Sequence, residues 1–238
     1  MSESINTINR NLFYKNAYLY FILAMLVTVV AFIPSYFTRL RETDTGHHFH
    51  GITATLWLLL FIVQPFLYRR GLIKWHRSIG KISFILVPLI VVGGLTMIHR
   101  MLLAKANYPP QLPYQLAFID FFTLALFILF FALAIVHRKN IQLHARYMVC
   151  TVLGPLIPAL TRFLFLIPGI DSFNKSLNMS YVLIELVLLL LLSDDKRSGK
   201  IRSPYIIAIG LFITQHVLMN FAKEWAWWRI AMDSFSSF

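Results

Sequence analysis

The sequence predicts an all-α fold, a seven-helix transmembrane bundle, and three observations carry that expectation. Hydrophobic residues make up 58% of the chain and charged residues only 13%, too little polar surface to coat a water-soluble globule. Apolar runs recur whose length, about 17 to 25 residues at roughly 1.5 Å each, suits a hydrocarbon layer about 30 Å thick. Between the runs, Lys and Arg gather in alternate loops, as a fixed orientation in a bilayer requires.

The runs fall at about residues 17–37, 51–68, 82–99, 114–137, 147–167, 177–193 and 204–222. The first is too long for a signal-peptide core and no A-x-A site follows it, so it reads as a retained helix. The second follows the His-rich "TGHHFHG" and places Trp57 and Gln64 on one face with His50. Gln64 needs a partner in apolar surroundings, either a neighbouring helix or a cofactor in a cavity. Between the third and fourth runs, "ANYPPQLPY" is an extended, Pro-rich turn. The fifth contains "LGPLIPALTR", and Pro155 with Pro158 predicts a kinked or discontinuous helix. The sixth ends in "LSDDKRSGK", where Asp194 and Asp195 read as a solvated loop and complete no D-D-x-x-D motif. After the seventh, "KEWAWWRI" reads as an interfacial aromatic anchor. No linker interrupts the pattern, so residues 1–238 are expected to form one integral membrane domain.

Charge sets the expected orientation. Arg69, Arg70, Lys74, Arg77 and Lys81 follow the second run, Arg138, Lys139 and Arg146 the fourth, and Lys196, Arg197, Lys200 and Arg202 the sixth. With Arg10 and Lys15 ahead of the first, the amino terminus is expected in the cytoplasm and the carboxyl terminus outside it. The net charge of +12 then reflects topology and attraction to anionic lipid. It does not mark a nucleic-acid surface, because no basic run is interleaved with stacking aromatics. The single Cys150 forms no intramolecular disulfide. No phosphate-cradling glycine loop and no G-x-S-x-G nucleophile elbow occurs.

Ionisable groups inside hydrocarbon are costly and rare, so their depth is informative. Asp120, Glu185, His216 and Arg162 all fall in the outer half of their helices, and His50 and His99 cap the outer ends of two more. His50, His99 and His216 are ligand types for a transition metal such as Zn or for haem b, with Asp120 or Glu185 as a catalytic carboxylate. The same set would serve redox or metal-dependent chemistry on a lipophilic small molecule, a proton-coupled carrier through Glu185 and His216, or a hydrogen-bonded network in which Arg162 pairs with Glu185 or Asp120. No H-x-x-x-H spacing selects among these. At the inner end His76, His137 and His144 lie beside Arg or Lys, a setting for headgroup phosphate or helix-end carbonyls. "IKWH" and "IQLH" place His76 and His144 at equivalent helix starts, a short internal echo.

The order His50, Gln64, then "HRSIGK" at 76–81, "HARYM" at 144–148 and Arg162 resembles an uncharacterised family of bacterial polytopic membrane proteins. Those proteins share an H-R-x-x-G-[KR] turn and an H-x-R-[WY]-M helix start. The resemblance implies a multi-pass protein of the bacterial inner membrane and singles out His50, Gln64, His76, Arg77, Gly80, His144, Arg146 and Arg162. In layering histidines near both faces, the chain also loosely resembles b561-type diheme cytochromes, which would imply haem. It departs from them in setting the inner histidines in basic loops.

Overall fold

The computed structural model describes residues 16–237; Arg10 and Lys15, used above for orientation, lie outside the described residues. The described residues form helices joined by short turns, in the order α1 (Ala17–Phe32), α2 (Thr45–Arg69), α3 (Ile73–Gly80), α4 (Ser83–Leu103), α5 (Leu112–Val136), α6 (Ile141–Phe165), α7 (Phe173–Arg197), α8 (Ser203–Ala222) and α9 (Ala226–Ser236). Six spans are long and apolar enough to cross a membrane: α2, α3 running into α4, α5, α6, α7 and α8. α1 is a shorter apolar helix of 16 residues. Large apolar side chains such as Leu23, Leu59, Ile85, Val92, Leu190 and Phe221 stand exposed along these helices, an exposure that lipid tolerates and water penalises. The chain is a multi-pass membrane protein.

Each predicted run has its helix. α2 starts at Thr45 because the Asp44 side chain caps it, accepting from the N–H groups of Gly46 at 2.8 Å and His47 at 3.2 Å. His47, His48 and His50 are therefore helical. Asn140 and Ser172 cap α6 and α7 in the same way. Two elements were not expected, α3 in the second basic loop and α9 at the carboxyl end. Both are amphipathic, so a search for continuous apolar runs passes over them.

α6 is the central helix. It packs against α1, α5, α7 and α8, and half of its span is buried. One apolar core, with Phe130, Tyr147, Leu188, Tyr205 and Phe212, fills the space among α5 to α8. A second joins α2, α4, α5 and α6 around Trp57, whose ring meets Phe127 at 5.2 Å and Phe61 at 5.4 Å. Trp57 is thus a packing residue.

Two sequence expectations are corrected here. α6 runs unbroken through Pro155 and Pro158. Neighbouring helices pack tightly there: at Gly154 a Cβ would sit 2.9 Å from Thr123 Cγ2 of α5, so α5 approaches closely where the helix lacks amide hydrogens. The second correction concerns Asp194 and Asp195, which lie in the last turn of α7 and are buried. Arg146, fully buried on α6, accounts for this. Its Nε–H donates to both Asp195 oxygens, at 2.9 and 3.0 Å, and its Nη2 pairs with the same carboxylate. Its Nη1 donates to the Gln142 carbonyl at 2.8 Å and side-chain oxygen at 2.7 Å. The Arg202 amide at the start of α8 also donates to Asp195, at 3.4 Å.

α9 lies on α4 and α5 at the end opposite the basic loops. Trp228 Nε1–H donates to the Tyr114 carbonyl at 2.9 Å, while Trp227 and Ile230 stay exposed as an anchor should. Lys105 pairs with Asp233 at 2.6 Å, and the Tyr114 hydroxyl donates to the same carboxylate at 2.8 Å.

Arg146→Met should cost about 3 kcal/mol by removing the bidentate partner of buried Asp195, which keeps the Arg202 guanidinium at 3.7 Å, and Arg146→Met with Asp195→Leu should recover most of it. Thermal unfolding in detergent measures both, and a single variant no worse than the double contradicts the role of the pair. The α9 clamp should also respond to pH. The Lys105 ammonium bonded to Asp233 holds that carboxyl below its ordinary value, and the carboxylate raises Lys105. A lowered acid stabilises above its unfolded value and loses this as pH falls through the depressed one; a raised base stabilises below its unfolded value and loses this as pH rises through the elevated one. Amide exchange in α9 should therefore be slowest around neutrality and quicken in strong acid and strong base, and Asp233→Asn should remove the acid limb.

Candidate functional site

α7 crosses the bundle with a polar face inside an otherwise apolar helix. Asn178, Tyr181 and Glu185 recur at three- and four-residue steps and so share that face. Opposite them, α8 presents His216. Its Nδ1 lies 2.8 Å from Glu185 Oε1 and its Nε2 lies 3.0 Å from Asn178 Oδ1. The Asn178 amide is fixed by Nδ2–H donating to the Asn174 carbonyl at 2.7 Å, so its oxygen faces the ring. The Tyr181 ring stacks on the imidazole at 4.8 Å and 17°. Tyr181 is buried, and its hydroxyl has no hydrogen-bond partner among the described residues.

This geometry fixes the protons. Asn178 Oδ1 accepts only, so His216 Nε2 carries a hydrogen. The Glu185–His216 contact holds one more, either on Nδ1, giving imidazolium and carboxylate, or on Glu185, giving a neutral pair. The two side chains are 20% and 19% exposed, so the pair is neither sealed in the core nor open on the surface.

Asp120 on α5 and Arg162 on α6 belong to the same layer. Neither of the expected ion pairs of Arg162 forms among the described residues. Its guanidinium donates instead to the Pro158 carbonyl at 3.1 Å and lies 4.7 Å from the Phe32 ring centroid. Small polar groups complete the layer. Gln215 Nε2–H donates to the Ile119 carbonyl at 2.8 Å and to Thr123 Oγ1 at 2.9 Å, and Thr161 donates to Ser180 at 3.1 Å.

His50, His99 and His216 occupy three different places. His50 packs on α4 at Gly93, where a Cβ would meet its Nδ1 at 3.4 Å. His99 faces the Phe235 ring of α9 at 5.8 Å, and His216 faces α7. Among the described residues no group of three or more His, Cys, Asp or Glu side chains is placed to hold a metal ion. Both ring nitrogens of His216 are already engaged. Among the described residues the three imidazoles therefore offer no common ligand set for Zn.

At the basic end the short echo is structural. Ile73 opens α3 and Ile141 opens α6, so His76 and His144 are each the fourth residue of a helix. Each points Nδ1 at a carbonyl near the end of the preceding long helix, His76 at Gln64 (3.3 Å) and His144 at Ala134 (2.9 Å). The Gln64 amide closes the first hairpin, its nitrogen toward the His76 carbonyl (3.1 Å) and its oxygen accepting from the Gly80 N–H (2.9 Å). Gln64, His76 and His144 thus brace hairpins, Arg146 pairs within the core, and Arg77 is exposed.

Comparison of the chain with protein-family models, with curated proteins and with solved structures finds no match. The function rests on this geometry alone.

Sequence reading found His216, Glu185 and Asp120 by depth, and missed Asn178, Tyr181 and Gln215. "SLNMSY" at 176–181 was the available signal, since four of its six residues are polar inside a span. Tyr181→Phe tests the arrangement. It keeps the ring on His216 and deletes a hydroxyl without a partner, so thermal stability should stay within about 0.5 kcal/mol of the parent. A clear loss would mean that the hydroxyl has a protein partner.

Proposed function

We propose that this protein is a membrane carrier that couples movement of a solute to protonation of the Glu185–His216 pair. The observation that carries the reading is the 2.8 Å contact between these two titratable groups across the α7–α8 contact, within membrane spans. Ionisable groups at such depth are costly and mark proton or substrate routes, and a shared proton makes the pair a two-state element. As imidazolium and carboxylate it is polar and hydrogen-bonded; with an additional proton it carries net positive charge, and with one fewer, net negative. Each change alters what α7 and α8 prefer to face in a medium of low dielectric.

The surroundings support such a switch. Asp120 on α5 and Arg162 on α6 add two further ionisable side chains to the layer, with no ion pair between them among the described residues. Tyr181 and Asn178 on α7 hold the imidazole in place from its face and its edge. With the basic loops in the cytoplasm of a bacterial inner membrane, as the charge distribution suggests, the pair would lie toward the outer face.

Proteoliposomes with a trapped pH dye test the proposal. Adding a transported solute from a panel of anionic, cationic and neutral compounds should shift the luminal pH, and Glu185→Gln should abolish the shift while the protein still inserts and unfolds normally. Solute flux unaltered by Glu185→Gln, or no dye response to any member of the panel, overturns the reading.

A further inference from the structure

Above the proton pair, at the end of the bundle away from the basic loops, lies a cleft of about 210 Å³. It opens between the starts of α5 and α7 and the end of α8, with Pro109, Gln115, Ser172, Phe173, Asn174 and Lys223 among its lining. Three features give it a sign and a chemistry. The first is Gln115, whose residue is only 4% exposed. Its side chain lines the cleft and makes no hydrogen bond among the described residues, so a buried amide is left for something that enters. The second is helix polarity. The positive end of α7 lies at the cleft: Ser172 Oγ takes the Lys175 N–H, and Phe173 and Asn174, the first two residues of that 25-residue helix, line the opening. The third is Lys223, the one charged residue of the lining among the described residues. The nearby charges are engaged elsewhere: Glu224 accepts from Gln111 at 3.4 Å, and Lys175 donates to the Gly169 carbonyl at 2.9 Å beside Asp171.

We propose that this cleft binds a small organic carboxylate. The carboxylate sits between the Gln115 amide, the first turn of α7 and Lys223, and its apolar body rests on Pro109 and Phe173. A cation is disfavoured by the lysine and by the amino-terminal end of α7. A neutral solute would leave the lysine uncompensated.

The cleft connects to the proton pair through two residues. Asn174 lines it, the Asn174 carbonyl accepts from Asn178, and Asn178 accepts from His216. An anion bound there therefore acts on the orientation of His216 through this chain. Naming the solute class rests on the carrier reading, whereas binding at the cleft does not.

The probe is benzoate, titrated calorimetrically into the purified full-length protein in detergent, with benzamide as its uncharged counterpart. Saturable benzoate binding is expected, with no detectable benzamide binding. Lys223→Gln, at a half-buried surface position, should weaken benzoate by about tenfold or more, and Gln115→Leu similarly. Absence of saturable benzoate binding to the parent, equal binding of benzamide, or benzoate affinity unchanged in Lys223→Gln overturns the proposal; the melting temperature of each variant identifies a weakened affinity that merely reports misfolding, and Lys223→Gln decides if Gln115→Leu does not fold. Benzoate binding that survives while Glu185→Gln leaves solute flux unaltered refutes the carrier alone.

Discussion

Arg146 and Asp195 meet where neither has any exposed surface, and that pair constrains the whole half of the bundle built from α6, α7 and α8. Separating two such charges in an apolar interior leaves an unpaired ion at a cost of several kcal/mol, so the beginning of α6 and the end of α7 are held in one register. The Arg202 amide ties the start of α8 to the same carboxylate. Helices of 25, 25 and 20 residues carry that register to the far end. There Thr161 meets Ser180, and Glu185 meets His216. A proton pair with defined geometry depends on an ion pair several turns away.

The two ends of the bundle use the same residue types for different purposes. At the basic end, imidazoles return to carbonyls of the preceding helix and close hairpins. Cationic neighbours there suit lipid phosphate, not a captured cation. At the far end, His216 faces a carboxylate and an amide oxygen, and its surroundings bear charges of both signs. The difference is one of partners, since a histidine bonded to backbone only orients a loop, while one bonded to a titratable group holds an exchangeable proton.

The far end also differs in how it is covered. α9 docks through Trp228 and the Lys105–Asp233–Tyr114 cluster over α4 and α5. The cleft beside it stays open between α5, α7 and the end of α8. Among the described residues Gln115 presents a buried amide without a hydrogen bond at that mouth, whereas deeper in the bundle the Gln215 amide nitrogen donates to Ile119 and Thr123.

The sequence by itself determined where the apolar helices are, because crossing hydrocarbon demands a minimum apolar length; six of the described spans meet it, and α1 at 16 residues falls short. It also placed Asp120, Glu185 and His216 along their helices, which follows from counting along a helix of fixed rise. α3 and α9 escaped it because their apolar residues are periodic, not continuous, and the continuity of α6 through Pro155 and Pro158 escaped it because a proline breaks a helix or not according to what packs beside it. Asp195 was legible as a charge but not as a buried one, since its partner lies forty-nine positions away in sequence. Only the tertiary structure decided which polar groups touch. Depth places a side chain on one axis, and contact needs the rotation of each helix about its own axis as well. That rotation comes from packing among helices, which is why His216 meets Glu185 and stays apart from His50 and His99.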